Sequence, residues 1–189
     1  CELFPDADLY TLLHQKGKLS QNIESRSIRT SFVQHLPFGL KKYRHYLPLF
    51  PLAIEQFDLS AYDLIISSSH CVAKGVRLNN STYHISYVHT PMRYVWDQFN
   101  TYFRHPRTSW PVRIGAELMR PYLQRWDRNT AKRVDTFLCN SNNIRKKILE
   151  YYGRESQVIY PPVDLSQFKP GDTKADYYLM VGAFAPNKR

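Results

Sequence analysis

Short apolar runs rich in β-branched and aromatic residues alternate along the chain with longer segments of helical periodicity. The predicted strands are DLYTLL around Leu9, DLIIS from Asp63, HISYV from His84, TFLC from Thr136 and QVIY from Gln157. The predicted helices are Leu49 to Phe57, Val112 to about Arg133 with a kink at Pro121, and Asn143 to Tyr152 with Ser141 or Asn142 as N-cap. This alternation predicts an α/β fold with a doubly wound, Rossmann-like parallel sheet.

The composition is that of a folded globular protein, since 43% of the 189 residues are apolar and 22% are charged. Neither value is typical of a disordered chain. The formal net charge of +10 predicts an anionic partner, which is nucleic acid, a phosphorylated ligand or an acidic membrane surface. Charge alone does not select one of these three.

Cysteine usage and hydropathy favour a cytoplasmic protein. Cys1, Cys71 and Cys139 form an odd set without C-x-x-C spacing, which argues against a disulfide framework and a cysteine zinc site. The most apolar segment, Leu47 to Ile54, contains two prolines and falls short of the roughly 18 apolar residues of a membrane-spanning helix. We therefore expect a reducing compartment and no membrane span.

Both ends of the sequence are expected to lie inside a longer protein. The first residue is not methionine, and the opening CELFPDADLY is typical of a helix end followed by a turn into a strand. Near the other end, Pro161, Pro162 and Pro170 indicate a linker. The apolar run from Tyr177 to Val181 then predicts the first strand of a new domain.

Polar residues follow three of the predicted strands, at the edge where open α/β sheets bind their ligands. Ser67 to His70 follow DLII, His89 and Arg93 follow HISYV, and Asn140 to Asn142 follow TFLC. Hydroxyls and free backbone N–H groups there suit an anion or a sugar hydroxyl. Each group also has a structural interpretation, since serines and asparagines cap helices and most single histidines serve the fold.

Several common catalytic motifs are absent from the sequence. It contains no H-E-x-x-H, no P-loop G-x-x-x-x-G-K, no G-x-S-x-G and no G-x-G-x-x-G. Metalloprotease, nucleoside triphosphatase and α/β-hydrolase functions therefore have no support from motifs.

Five longer runs are more specific. They are YDLIISSSHCVAKGV from Tyr62, YVHTPMRYVWD from Tyr87, FLCNSNNIRKKILEYYG from Phe137, VIYPPVDLSQFKP from Val158 and VGAFAPNKR from Val181. In this order they closely resemble the GT-B glycosyltransferases of family four (group 1), in particular the mannosyltransferase-like enzymes of bacterial surface-polysaccharide synthesis. The resemblance covers nearly the whole chain and is weakest at residues 16–42 and 100–110.

The resemblance implies two domains that face each other across a cleft. Residues 1–160 would be most of the amino-terminal, acceptor-side domain without its first strand and glycine-rich loop. Residues 161–175 would be the interdomain linker, and residues 176–189 the first strand and loop of the donor-binding domain. The family's pair of glutamates, eight residues apart, has no counterpart here, so we expect this chain alone to be inactive.

The resemblance also assigns roles to individual residues. His89 matches the cleft histidine, which contacts the transferred sugar or organises the acceptor, and is the catalytic candidate. Arg93 would bind phosphate or acceptor oxygens through its bidentate fork. Lys188 matches a lysine on the donor diphosphate.

Further acceptor contacts are expected from Ser69, His70 and Ser141. Ala183 stands where the family often has an arginine, which removes one expected donor contact.

The implied reaction is transfer of a hexose, mannose from GDP-mannose, to a lipid-linked saccharide or polysaccharide with retention at the anomeric carbon. No metal and no other cofactor are expected, and retention in such enzymes does not require the carboxylate pair of a hydrolase. The expected partners are a nucleotide-sugar donor, a lipid-linked acceptor and an anionic membrane surface that the chain contacts peripherally, from the cytoplasm. No nucleic acid partner is expected.

The residues leave other functions open. A non-catalytic basic module that binds an anionic glycan, a membrane or nucleic acid agrees with the same charge. A nucleotide-sugar epimerase of the same fold is another alternative, because function depends on the site rather than on the fold.

Overall fold

The computed structural model describes residues 3–106, 108–168 and 176–182. Its strands are β1 (Leu9–Thr11), β2 (Ile28–Thr30), β3 (Leu64–Ser69), β4 (Tyr83–Val88), β5 (Thr136–Cys139) and β6 (Gln157–Val158). Its helices are α1 (Gln21–Glu24), α2 (Gly39–Lys42), α3 (Phe50–Glu55), α4 (Phe99–Phe103), α5 (Trp110–Thr130) and α6 (Asn142–Tyr152). Short 3₁₀ segments lie at Phe32–His35, Tyr43–Leu49, Ala73–Gly75, Ala131–Arg133 and Leu165–Gln167.

All strand pairs of the described residues are parallel. A four-stranded sheet has the order β3-β4-β5-β6, and β1 and β2 form a separate two-stranded sheet. Each neighbouring pair of the larger sheet is parallel, and α4 and α5 connect β4 to β5, while α6 connects β5 to β6. Parallel strands need such crossover connections. The α/β, Rossmann-like fold class is confirmed.

The longer helices have bounds that local sequence explains. Helix α5 starts beside Pro111, which suits the first helical turn, and continues through Pro121 to Thr130. Helix α6 is capped by Ser141, whose Oγ accepts from the backbone N–H of Ile144.

Two predictions about strands differ from the structure. Strand β2 was not expected, because Ile28–Thr30 is three residues long and its middle residue is charged. Residues Tyr177 to Val181, which are expected to start a donor-binding domain, are not in a strand here and are exposed. A strand needs a neighbour to complete its hydrogen bonds, and no described strand pairs with this segment.

The apolar core is divided into two clusters. One packs α3 and α5 against the loops that follow β3 and β4, and it includes Ala53, Met92 and Leu123. The other lies between β5 and α6 and includes Phe137 and Ile148. The first cluster therefore supports the loops at the carboxyl end of the sheet.

A buried ion pair lies at the centre of the molecule. The side chains of Lys74 and Asp127 are 1% and 0% exposed, and Lys74 Nζ lies 2.9 Å from Asp127 Oδ1. Lys74 also donates to Thr130 Oγ1 at 3.0 Å. The other carboxylate oxygen, Oδ2, accepts from Trp96 Nε1 at 2.7 Å and from the Tyr152 hydroxyl at 2.9 Å. The pair thus joins the loops after β3 and β4 to α5 and α6.

Glu55 makes a second polar connection, from the end of α3. It accepts from Trp126 Nε1 at 3.0 Å and from Arg133 Nη1 at 2.8 Å. Burial opposes ionisation of this carboxyl group, but the hydrogen bonds from Arg133 and Trp126 outweigh it and hold its pKa below the ordinary value. Helix α3 is thereby fixed to α5 and to the turn that follows α5.

A buried histidine lies near the start of β4. His84 is 0% exposed, and its Nε2 lies 2.9 Å from Ser67 Oγ, while Nδ1 lies 3.1 Å from the Arg133 carbonyl oxygen. A carbonyl oxygen only accepts, so Nδ1 carries the proton. Burial lowers the pKa of His84, and the ring is neutral in the fold.

Removal of one partner of the buried ion pair will be strongly destabilising. We expect Lys74→Ala to lower the free energy of unfolding by about 3–5 kcal/mol, because Asp127 is left as an uncompensated buried charge. Lys132→Ala, at an exposed position, is the control and should change it by less than about 0.5 kcal/mol. Urea denaturation measures both, and equal stability of the two variants would contradict this prediction.

Position 75 requires glycine because the Trp126 ring packs directly against its backbone. A Cβ added there would lie 2.3 Å from Cη2 of Trp126, whose ring is held by Glu55. We expect Gly75→Ala to cost about 1–3 kcal/mol of stability through overpacking. Gly115→Ala is the matched control, because no atom lies within 4 Å of that added Cβ; it should stabilise α5 by up to about 1 kcal/mol. Thermal unfolding will show opposite shifts if the packing is as described.

Stability should fall as the pH decreases below the ordinary histidine pKa of 6.5. The folded-state pKa of His84 is lower than its unfolded-state value, so the unfolded chain takes up the proton first and is favoured in acid. Between pH 7 and pH 5, roughly, we expect a smaller loss of stability in His84→Gln than in the wild type. Urea titrations across this range measure the slopes, and parallel slopes would assign the effect to other groups.

Candidate functional site

The carboxyl ends of β3 and β4 meet at one edge of the larger sheet, and His89 lies there. Its backbone N–H donates to the Ser69 carbonyl oxygen at 2.8 Å, which continues the ladder of the two strands by one residue. Its ring nitrogen Nε2 lies 2.9 Å from Ser68 Oγ. The His89 side chain is exposed, so the strand ends hold it in position and leave it accessible to a ligand.

The loop after β5 contacts the same histidine. Asn140 Nδ2 donates to the His89 carbonyl oxygen at 3.1 Å. The Tyr87 ring meets the His89 ring edge to face, with centroids 5.1 Å apart. The Tyr87 hydroxyl donates to the Ile159 carbonyl oxygen just after β6. Ser68 and Tyr87 therefore contact the imidazole itself, while Asn140 binds the His89 backbone and Ile159 binds Tyr87.

His70 and Arg93 complete a cluster of basic side chains. The pKa of His70 is lowered first by the protein atoms that surround its ring and then by its electrostatic interactions with His89 and Arg93. Within the described ranges no carboxylate makes an ion pair with any of these three residues. Arg93 therefore provides positive charge without a protein counterion, and two imidazoles lie beside it, which favours an anionic ligand or one rich in hydroxyl groups.

The loop that carries His89 and Arg93 is fixed from beneath. Met92 and Val95 are 0% and 1% exposed. The Val95 carbonyl oxygen accepts from Arg120 Nε at 3.0 Å and from Gln124 Nε2 at 2.7 Å, both on α5. Together with the bond from Trp96 to Asp127, these contacts hold the loop against α5 and orient the side chains at the sheet edge.

The other predicted site residues have different positions. Ser69 is 2% exposed, so its hydroxyl is buried. Its backbone carbonyl oxygen takes part in the site by accepting from the His89 N–H. Ser141 caps α6 and donates to Asn140 Oδ1 at 3.1 Å. Lys188 and Ala183 lie outside the described residues. The structure thus brings His70, His89 and Arg93 together, and Ser141 has the helix-capping position.

Two contact residues were not singled out in the sequence. Ser68 and Asn140 were only members of polar loops, yet both bind His89 directly. The feature of the sequence that could have identified them is their position at strand ends. Ser68 lies one residue before the end of β3, and Asn140 comes directly after β5. Sequence alone does not show which of several adjacent polar residues points to a neighbouring loop.

Two surface depressions lie away from these residues. One, of about 410 Å³, is near residues 5–27, and the other, of about 570 Å³, lies beside β5 and the start of α6. Among the described residues no group of three His, Cys, Asp or Glu side chains is arranged to hold a metal ion. In the same part of the chain, no helix combines the length and apolar character of a membrane span.

Comparison with known proteins identifies the family. The model of the family described as Glycosyltransferase Family 4 matches residues 10–167, which is most of the chain and includes every described site residue. No curated protein and no solved structure matches the sequence. A family of this name transfers glycosyl groups from a nucleotide-sugar donor to a glycan acceptor. With its parallel sheet and the basic cluster at the carboxyl edge, the chain belongs to Glycosyltransferase Family 4.

Proposed function

We propose that the chain is the acceptor-side part of a retaining, mannosyltransferase-like GT-B enzyme. It transfers a hexose, mannose from GDP-mannose, to a lipid-linked saccharide or a polysaccharide during cell-surface glycan synthesis. The observation that carries this proposal is the cluster of His70, His89 and Arg93 at the carboxyl edge of the sheet, with His89 bound to Ser68, in a chain of this family.

His89 is the residue that we place against the reacting groups. Its Nε2 is engaged with Ser68, whereas its Nδ1 has no hydrogen-bond partner within the described part of the chain. Nδ1 is therefore the atom available to a sugar hydroxyl. A hydrogen bond from this position would orient the acceptor oxygen toward the anomeric carbon, and held orientation is a large part of catalysis in transfer reactions.

Arg93 and His70 bind the anionic part of the acceptor in this proposal. A guanidinium group matches two oxygens of a phosphate at once. The diphosphate that joins a saccharide to a lipid carrier supplies such oxygens. Ser69 and Ser141 support this edge through the fold: the Ser69 carbonyl oxygen accepts from the His89 backbone N–H, and Ser141 caps α6.

The transfer breaks the bond between the anomeric carbon and the diphosphate oxygen of the donor and forms a bond from that carbon to the acceptor hydroxyl oxygen. The hydroxyl proton moves to the departing diphosphate on the same face of the sugar, which gives retention. Lys188 would offset the charge that develops on the diphosphate. The proposal requires no metal and no other cofactor.

The domain assignment belongs to the same proposal. Residues 1–160 form the acceptor side, residues 161–175 the linker, and residues 176–189 the beginning of the donor-binding side. Sugar transfer then needs both sides of the cleft, so this chain by itself is expected to be inactive.

A cytoplasmic location, with peripheral attachment to the inner face of the membrane, is supported by the net charge of +10. Each basic side chain near an anionic leaflet contributes about 1 kcal/mol. No nucleic acid partner is included.

Substitution of the site histidine tests the proposal. The assay uses the complete protein as its native gene encodes it. We expect His89→Ala to lower kcat for mannosyl transfer at least about 100-fold, because the group that orients the acceptor is lost. The matched control is His45→Ala, at an exposed position away from the sheet edge. Initial rates with radiolabelled GDP-mannose and a lipid-linked acceptor measure both.

Wild-type turnover in His89→Ala would exclude the catalytic role. If the wild type transfers no sugar from any nucleotide sugar but binds anionic glycans in a salt-sensitive way, the non-catalytic module replaces the enzyme.

A further inference from the structure

The N-terminal half of α5 has an exposed apolar side. Trp110, Ile114, Leu118 and Tyr122 are 71%, 49%, 75% and 44% exposed. Residues four positions apart lie on one side of a helix, so these four side chains form a continuous strip about 18 Å long. Apolar surface of this kind on a soluble face marks an interaction site.

The charges on this helix are unevenly distributed. Arg125 follows Tyr122 by three positions and Leu118 by seven, so it extends the same side of α5. Both acidic residues of α5 are engaged elsewhere: Glu117 pairs with Arg104, and Asp127 is buried with Lys74. The strip therefore combines apolar side chains with the positive charge of Arg125, and the charge of Glu117, which flanks Ile114, is offset by Arg104.

The contacts of α5 show where the strip lies relative to the site. The C-terminal end of α5 leads through Ala131–Arg133 to Asp135, whose N–H donates to the His84 carbonyl oxygen at the start of β4. Arg120, nearer the other end, binds the Val95 carbonyl oxygen in the loop after β4. Helix α5 thus runs from the carboxyl end of the sheet to its amino end. From this direction we infer that its first ten residues extend toward the edge of the sheet that carries His89 and Arg93.

We propose that this strip docks on the surface of an anionic lipid bilayer. An interfacial helix buries an apolar face with flanking aromatic residues and keeps basic residues at the headgroups. Trp110 and Tyr122 stand at the two ends of the strip, where aromatic rings favour the membrane interface, and Ile114 and Leu118 fill its centre. Arg125 meets the phosphates. The occupant is an anionic bilayer rather than a neutral protein surface because the charged residue on the strip, Arg125, is basic and the chain as a whole carries a net charge of +10.

This docking rests on the peripheral membrane attachment of the proposed function, to which it assigns a surface, and it does not require the transfer reaction. If both hold, the bilayer lies beside the edge that carries His89, and a lipid-linked acceptor reaches the site without leaving the membrane. The test therefore uses lipid alone, with no sugar donor and no acceptor, so that its outcome is independent of catalysis.

The experiment is co-sedimentation of the purified protein with vesicles of phosphatidylcholine, with and without phosphatidylglycerol. We expect binding to the anionic vesicles that salt weakens. The double variant Ile114→Ser/Leu118→Ser should weaken it roughly tenfold or more, and Arg125→Gln about fivefold. Leu149→Ser on α6, where the leucine is 51% exposed, is the matched control and should bind like the wild type.

Tryptophan fluorescence gives a second readout. Trp110 is exposed, whereas Trp96 and Trp126 are partly buried, so a blue shift on vesicle binding should disappear in Trp110→Phe. Circular dichroism and thermal unfolding will show that the double variant is folded, since both replaced side chains are on the surface.

Three results would overturn the proposal: no binding of the wild type to anionic vesicles, equal binding of the double variant, or a self-association in analytical ultracentrifugation that the double variant abolishes without any vesicle binding. The last result would assign the strip to a second copy of this chain.

Discussion

The ion pair between Lys74 and Asp127 joins segments that are far apart in the sequence. Lys74 follows β3, Asp127 lies in α5, and the same carboxylate accepts from Trp96 after β4 and from Tyr152 in α6. Two charges removed from water lose several kcal/mol of solvation each, and only good geometry and further hydrogen bonds compensate for it. Every segment that contributes a partner is therefore held to one arrangement.

This constraint connects the core to the site. The loop from His89 to Gln98 has few backbone hydrogen bonds of its own, and its conformation depends on what lies beneath it. Trp96 is fixed by Asp127 and stacks on Tyr151, with ring centroids 4.6 Å apart. A loop that is fixed at its far end holds the backbone of His89 and Arg93 in a defined position at the carboxyl end of the sheet.

The sequence predicted those parts of the fold that local periodicity determines. The strands of the larger sheet and helices α3, α5 and α6 lie where the apolar runs indicated. Strand β2 and the division into two sheets were not predictable, because three residues carry little pattern and pairing is a long-range property. The buried pair was also missed, since Lys and Asp are ordinarily exposed. His89 and Arg93 were predicted, whereas Ser68 and Asn140 required knowledge of which loops touch.

Two serine–histidine pairs at β3 and β4 differ in burial, and this difference decides whether the histidine can contact a ligand. Ser67 and Ser68 are consecutive in β3, so their side chains point to opposite faces of the sheet. Ser67 meets His84 in the interior, where burial lowers the pKa of the ring and both its nitrogens are engaged. Ser68 meets His89 beyond the end of β4, where the residue is exposed and Nδ1 has no hydrogen-bond partner among the described residues. The residue types are the same in both pairs, and only the exposed pair leaves a ring nitrogen for a ligand.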